Sequence, residues 1–243
     1  MAKLLTDDFF KARFDDLLAY PLRGKMILRE ISGFTTEALK NSPQYENCRQ
    51  TANEFGRMSA LCKQVRVALK AILPKQNNLA VVNAFTKKMR VILKCDTQNE
   101  RGNRHLANAV NTQEGRQLLL GYAFNPDAKI VLDTTLLENM LQINLKEIIF
   151  SKYANSVGFR VHNLVFNFTT ENYELLNSDW VFERKTTLPE TLGLTLPSLP
   201  NTEGTLITLL ETQFYKATKK GFVPMEDDRS KSVLVVGVEE IQF

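Results

Sequence analysis

The sequence has few of the residues on which enzyme and metal chemistry usually depend. It contains two histidines, His105 and His162, and three cysteines, Cys48, Cys62 and Cys95, and no pair among them has the spacing of metal ligands. Its 11 glycines stand singly, and no Walker A loop, Gly-x-Ser-x-Gly elbow or Gly-x-Gly-x-x-Gly fingerprint occurs. We therefore predict a protein that is not an enzyme, with no catalytic residues, no metal site and no cofactor.

Long hydrophobic runs are missing as well. The longest apolar stretches, such as Val233–Val238, are far shorter than the roughly 20 residues that cross a bilayer, so we predict no membrane span. Asp7 and Asp8 come before any hydrophobic region, which argues against a secretory signal. The expected location is the cytoplasm, with leaderless export left open, and the odd number of cysteines fits reduced, buried thiols.

Charge is unevenly distributed along an otherwise ordinary composition. Residues 47–117 carry 13 Lys and Arg against four Asp and Glu, a net charge of +9, whereas the whole chain has only +4, so the remainder sums to −5. The negative excess lies in residues 118–243. A basic middle and an acidic C-terminal half indicate either a polyanion partner or attraction between copies of the protein.

The first 32 residues are predicted to form an N-terminal helix and a β-hairpin. Apolar residues recur at helical spacing over residues 4–19, and Pro21 ends the pattern. The hairpin is expected at Leu22–Ser32, with its turn at Arg23-Gly24-Lys25. A terminal helix must dock on its own subunit or on a neighbouring one, so we regard this segment as an arm. Its predicted docking residues are Phe9, Phe10, Phe14 and Leu17.

A basic helical hairpin is predicted in the second segment, residues 33–115. Pro43 fits the first turn of a helix, and apolar or small residues then recur at steps of three and four until about Cys95, interrupted by a turn near Pro74. Basic residues with the same spacing define two ridges, which are Lys63, Arg66 and Lys70 on the first helix and Lys87, Arg90 and Lys94 on the second. Arg101 and Arg104 extend the ridges into a polar loop at residues 96–115, which contains at most one short helix.

Three interpretations of the ridges stay open at this point. They can follow the phosphates of a nucleic acid, meet an acidic protein surface, or form the solvated face of an ordinary hairpin. The region has few exposed aromatic residues for stacking on bases and no zinc-finger or RNA-module signature, which favours the protein surface over nucleic acid.

The third segment, residues 116–243, is predicted to be β-structure because the apolar period changes to about two. The expected strands are Gln117–Phe124, Lys129–Leu132, Leu145–Phe150, Val157–Thr169, Trp180–Lys185, Leu206–Tyr215 and Ser232–Val238, with a turn of helix at Leu136–Gln142. Strands at this spacing are typical of an antiparallel β-sandwich, immunoglobulin-like or jelly-roll-like. The whole chain is thus predicted to be an α+β protein.

Part of the helical segment has a motif that begins Asn-x-Pro and ends Asn-Glu-Phe-Gly. Its residues are Asn41, Ser42, Pro43, Tyr45, Arg49, Asn53, Glu54, Phe55 and Gly56. This motif resembles that of a family of uncharacterised proteins of Bacteroidetes-type bacteria. The resemblance implies a helical start, a β end and no recognised enzyme signature. Gly56 in mid-helix costs up to about 1 kcal/mol relative to Ala, so we expect close helix packing at Phe55 and Gly56.

These features together favour a structural protein that assembles with itself, as a filament, tube or shell subunit. Its partner is then another copy of the chain, and a head-to-tail contact between basic and acidic regions gives a ring or an open polymer. The alternative is a nucleic-acid-binding protein that uses the basic helical hairpin.

Overall fold

The computed structural model describes residues 2–4, 10–31, 35–73, 78–125, 127–128, 130, 132–199 and 201–241. The chain is an α+β protein whose N-terminal strands are followed by helices and then by antiparallel β-structure. It divides into two compact units, Met1–Ala52 and Asn53–Phe243, so the division falls within a long helix. The three segments expected from the sequence stay a prediction.

The first unit contains a four-stranded antiparallel sheet with the strand order β1-β4-β3-β2. Its strands are β1 (Ala2–Leu4), β2 (Ala12–Phe14), β3 (Leu17–Leu22) and β4 (Lys25–Glu30). β3 and β4 form the predicted hairpin around Arg23 and Gly24, whose φ angles of 50° and 71° fit a two-residue turn. The sheet is followed by helix α1 (Thr36–Asn41), in which the Thr35 hydroxyl accepts a hydrogen bond from the Ala38 N–H.

The helix predicted over residues 4–19 is wrong for residues 10–19, and residues 5–9 lie outside the described residues. β2 and β3 occupy residues 12–14 and 17–22, and Asp15 between them has a φ of 42°. Aspartate tolerates this left-handed conformation better than most residues, because its short side chain can hydrogen-bond locally, so the chain reverses there instead of continuing a helix. The apolar spacing that fits one helical face also fits two short strands joined by a tight turn.

Four α-helices follow among the described residues, and the predicted helical hairpin is confirmed. They are α2 (Glu46–Ala68), α3 (Asn78–Ile92), α4 (Leu106–Asn111) and α5 (Gln113–Leu119). A 3₁₀ turn at Pro43–Tyr45 precedes α2. Met58 and Cys62 of α2 lie in the same apolar cluster as Phe85 and Met89 of α3, so the two helices share a core.

Nine strands follow in the part of the chain that the structure describes after α5. In chain order they are β5 (Asp133–Leu136), β6 (Met140–Asn144), β7 (Ser156–Phe166), β8 (Tyr173–Asn177), β9 (Val181–Arg184), β10 (Thr191–Thr195), β11 (Gly204–Thr218), β12 (Gly221–Pro224) and β13 (Lys231–Ile241). A three-stranded sheet has the order β10-β6-β5. A six-stranded sheet is built on β11 and β7, with β12 and β13 along the outer edge of β11, and with β8 and β9 along the outer edge of β7.

The two faces of the six-stranded sheet belong to different apolar clusters. On β7, Leu164 and Phe166 lie in the cluster that includes the helices, whereas Val157 and Phe159 lie in a second cluster with residues of the three-stranded sheet, such as Leu141. Because successive side chains of a strand point to opposite faces, helices cover part of one face and the smaller sheet covers part of the other.

Four expected strands are confirmed, and each of their ends lies within one to three residues of its expected position. They are Val157–Thr169, Trp180–Lys185, Leu206–Tyr215 and Ser232–Val238. Other expectations for this region are wrong. Most of Gln117–Phe124 is the end of α5 and a turn, and Leu145–Phe150 is irregular. Leu136–Gln142 is not a turn of helix, because it contains the end of β5, a tight connection and the start of β6.

Candidate functional site

Two of the predicted arm residues, Phe14 and Leu17, lie on the N-terminal sheet. Phe14 pairs with Leu17 across β2 and β3, so both are on one face; Phe14 is 53% exposed and Leu17 half-buried. Phe10 precedes β2 and is also exposed. Phe9 lies outside the described residues. The described part of this unit buries only Ala19, Met26 and Ile27, a small core.

The two basic ridges occupy surface positions of different character. Lys87 and Arg90 are exposed, on the side of α3 opposite its buried residues, and Lys94 is exposed in the 3₁₀ turn that follows α3. Lys63 and Lys70 are exposed, but Arg66 is half-buried, with a guanidinium nitrogen that has no hydrogen-bond partner among the described residues. A solvated helical face has the same exposure, so a binding role for the ridges stays a prediction.

The Asn-Glu-Phe-Gly motif has a local role that the sequence does not indicate. The buried Glu54 carboxylate accepts hydrogen bonds from the backbone N–H groups of Gly102, at 2.7 Å, and of Arg104, at 3.4 Å. Arg57 donates to the Gly102 carbonyl at 2.6 Å. α2 thereby binds the polar loop directly.

The close packing expected at Phe55 and Gly56 is not found within the described part of the chain. Phe55 is 45% exposed, and a Cβ atom added to Gly56 meets no described atom within 4 Å. The cost of a mid-helix glycine is therefore not explained by a neighbouring element in the described chain.

Asp96 fixes the other end of the polar loop. Its carboxylate accepts hydrogen bonds from the backbone of His105 and Gln98 and from both the backbone and the side chain of Asn99, at 2.8–3.2 Å. Burial on its own raises the pKa of Asp96, but these donors outweigh it and hold the pKa below its ordinary value. Arg101 is exposed and Arg104 half-buried on this anchored loop.

A buried polar network on the six-stranded sheet was not predicted. The His162 ring is fully buried, and its Nε2 atom lies 2.8 Å from Glu211 Oε2, while Nδ1 faces the side-chain oxygen of Asn177. Lys231 Nζ lies 2.6 Å from the other Glu211 oxygen. Four strands, β7, β8, β11 and β13, contribute one residue each.

Glu211 is the centre of this network. Burial raises the pKa of Glu211, but the hydrogen bond from His162 and the charge of Lys231 act in the opposite direction and lower it overall. The carboxylate is therefore favoured in the folded protein. A signal existed in the sequence, because an acidic residue in the middle of the apolar β11 run requires a buried partner.

An aromatic layer lies next to the network on the same face. Trp180 and Phe182 stack at 5.8 Å between ring centroids, Phe182 stacks on Phe222 at 4.4 Å, and Tyr215 meets Phe182 edge-on at 5.1 Å. Gly158 makes room for these rings, since an added Cβ would lie 2.8 Å from Tyr215 and 2.9 Å from Phe182.

The buried network has little access to a substrate. The His162 ring is fully buried. Outside the network, burial raises the pKa of the Cys62 thiol in α2 to about 12, so this thiol is not a reactive thiolate. Among the residues that the structure describes, no group of three or more His, Cys, Asp or Glu is arranged to hold a metal ion. None of the described helices combines the length and the apolar character needed to cross a membrane.

Comparison of the chain with protein-family models, curated proteins and solved structures finds no match. The resemblance of Asn41–Gly56 to the Bacteroidetes-type family stays a prediction.

Proposed function

We propose that the protein is a non-enzymatic structural subunit that assembles with copies of itself through its N-terminal sheet. One observation carries the proposal: Phe10 and Phe14 are exposed on a sheet unit whose described residues bury only three apolar side chains. A small sheet with so little core needs a covering partner for stability.

A second copy of the chain is the partner that the sequence and structure favour. Among the described strands, β2 lies at the edge of its sheet, and an edge strand can pair with another chain. The basic stretch at residues 47–117 and the acidic excess at residues 118–243 give each copy two sequence regions of opposite net charge. This arrangement supports a head-to-tail contact between copies.

The same proposal includes a β-sandwich in the C-terminal half. The apolar cluster shared by Leu141 and Leu194 of the three-stranded sheet and by Phe159 and Leu210 of the six-stranded sheet supports two packed layers, immunoglobulin-like or jelly-roll-like.

Light scattering after size exclusion tests the assembly at fixed protein concentration. We expect the full chain to form particles larger than a monomer, and the double variant Phe10→Ser/Phe14→Ser to form particles of lower mass, because it removes two exposed aromatic surfaces. The matched control is Leu79→Ser, since Leu79 is 72% exposed on α3, and it should leave the mass unchanged. A monomeric full chain, or equal masses for the full chain and the double variant, would refute the proposal.

Nucleic-acid binding by the helical hairpin is the second candidate, favoured by the exposed Lys87 and Arg90 on α3 and Lys94 in the 3₁₀ turn after it. We expect the unchanged protein to bind a labelled DNA or RNA duplex with an affinity that falls as salt rises. Replacing these three residues by Glu should abolish that binding. Absence of duplex binding by the unchanged protein at low salt would remove this candidate.

A further inference from the structure

A cleft of about 630 Å³ opens at one end of the six-stranded sheet. It lies where β7 begins, β9 ends and β11 approaches its turn into β12, and its lining includes Asn155, Arg184, Lys185 and Lys219. None of these residues belongs to the N-terminal sheet or to the helical ridges.

Asn155 fixes the walls of the cleft. Its side-chain oxygen accepts a hydrogen bond from the Ala217 N–H at 2.6 Å, and its side-chain nitrogen donates to the Ala217 carbonyl at 3.3 Å. Its backbone carbonyl accepts from the Lys185 N–H at 2.9 Å, and its own N–H donates to the Tyr215 carbonyl at 3.2 Å. The end of β9 and the end of β11 are thus held on either side of one residue, which preorganises the space between them.

The charge of the lining is positive. Arg184, Lys185 and Lys219 are exposed, and none of the ion pairs between described residues involves them. Lys185 Nζ lies 5.6 Å from the centre of the Phe150 ring, a cation–π contact that holds the side chain without neutralising it. The described lining residues include no carboxylate. This concentration of positive charge is notable in a half of the chain with an excess of acids.

A stacked aromatic pair lies one strand pairing away from the cleft lining. Phe222 pairs in register with Ala217, one of the lining residues, and stacks on Phe182 with an angle of 6° between the rings. Phe222 remains 37% exposed, which leaves ring surface for a ligand. Aromatic rings in such positions stack on nucleobases, a contact of about 1–3 kcal/mol per base.

We propose that this cleft binds a nucleoside phosphate, with the phosphate groups held by Arg184, Lys185 and Lys219 and the base resting against Phe222. Arginine and lysine are the residues that proteins use most to bind phosphate. The volume falls within the range of about 300–1,000 Å³ that is typical of small-molecule sites. The ligand is either a free nucleotide or a nucleotide of a single strand, because both present the same phosphate and ring.

Isothermal titration calorimetry with ADP tests the proposal on the full chain at low salt. We expect saturable binding of ADP, weakened at least tenfold in Arg184→Glu/Lys219→Glu. Phe222→Leu keeps an apolar side chain but removes the ring, and it should weaken ADP while leaving inorganic pyrophosphate unchanged. The matched control is Lys25→Glu/Lys40→Glu, which makes the same charge change at two exposed lysines of the N-terminal unit and should bind ADP as the unchanged protein does.

The outcomes separate the possible sources of the ligand. The ligand is a single strand if an oligonucleotide binds at least tenfold more tightly than ADP and loses this affinity in Arg184→Glu/Lys219→Glu. It is the free nucleotide if the oligonucleotide binds more weakly than that. No saturable ADP binding, equal affinity in Arg184→Glu/Lys219→Glu, or equal ADP affinity in Phe222→Leu each overturns the proposal. Thermal unfolding of every variant checks that it is folded. The proposal is independent of self-assembly, since particle mass and ADP affinity are measured separately.

Discussion

Glu211 shows how a single acidic residue is accommodated in an otherwise apolar strand. It is 4% exposed on β11, between Leu210 and Thr212, and a buried carboxylate without partners is strongly unfavourable. His162 and Lys231 each contact one of its two oxygens. Breaking such a pair by removing one member costs about 3–5 kcal/mol, because the remaining charge is left buried. The network therefore acts as a strong constraint on how β7, β11 and β13 are arranged.

Glu211→Gln should lower the free energy of unfolding by about 3 kcal/mol at pH 7. The pKa of Glu211 in the folded protein lies below its ordinary value of 4.5, so its contribution is present above pH 4.5 and is lost as the pH falls through the folded-state value. The difference between the two proteins should therefore shrink in acid. Urea unfolding at pH 7 and at successively lower pH measures it.

The control for this experiment is Glu239→Gln, since Glu239 is an exposed acid on β13. It should change the unfolding free energy very little at either pH. A loss for Glu211→Gln that is the same at all pH values would show that the carboxylate charge is not what stabilises the network.

At the scale of elements, we expect alanine substitutions at two helical glycines to change the stability of the protein in opposite directions. Gly115 lies in α5, and an added Cβ would be 1.9 Å from the Ala109 carbonyl oxygen of α4, a clash that requires the two helices to separate. Gly56 lies in α2 with open space around it in the described structure. Gly115→Ala should destabilise the protein by about 1–3 kcal/mol, as overpacking does, whereas Gly56→Ala should stabilise it by up to about 1 kcal/mol.

Thermal unfolding, monitored by circular dichroism, compares the stabilities of the two variants, and each variant serves as the control for the other. A destabilising Gly56→Ala would mean that α2 is closely packed at this position, as the sequence led us to expect, and another copy of the chain is then the partner that the proposed assembly supplies. Particle mass measured on the same variant would then fall as well.

The elements that the sequence predicts correctly are those with a long, unambiguous period. α2 and α3 keep steps of three and four over many residues, and β7 and β11 are long apolar strands bounded by turns. The errors lie in short segments. The apolar run in Gln117–Phe124 fits a strand as well as a helix. Its first residues are helical because α5 begins upstream, where Thr112 caps the helix by accepting a hydrogen bond from the Gly115 N–H.

The polar network and the cleft were beyond prediction for a different reason. His162, Asn177, Glu211 and Lys231 come from four strands, and their contact depends on the pairing and register of the sheet, which no local pattern specifies. The cleft likewise joins the start of β7 to the ends of β9 and β11. The ridges were visible in the sequence because helical spacing is local, but spacing alone does not indicate what they bind.

At the scale of the whole molecule, the division of charge and the exposed phenylalanines make different contributions to the proposed assembly. Charges on the surface steer the encounter of two molecules and set the rate of association more than the final affinity. Exposed aromatic surface contributes chiefly to the affinity, because its burial removes apolar area from water. The two contributions respond differently to salt, since screening shortens the range of charge interactions from about 10 Å at 0.1 M salt to about 3 Å at 1 M.

Raising the salt concentration from about 0.1 M to about 1 M should therefore slow assembly but leave the final particle mass unchanged. Time-resolved light scattering after dilution from denaturant, or after mixing of dissociated subunits, measures the rate and the final mass in one experiment. Phe10→Ser/Phe14→Ser should have the opposite effect, a lower final mass at both salt concentrations. If high salt instead dissociates particles that have already formed, the contact depends on the basic stretch at residues 47–117 and its acidic counterpart, and the N-terminal phenylalanines are not what holds the copies together.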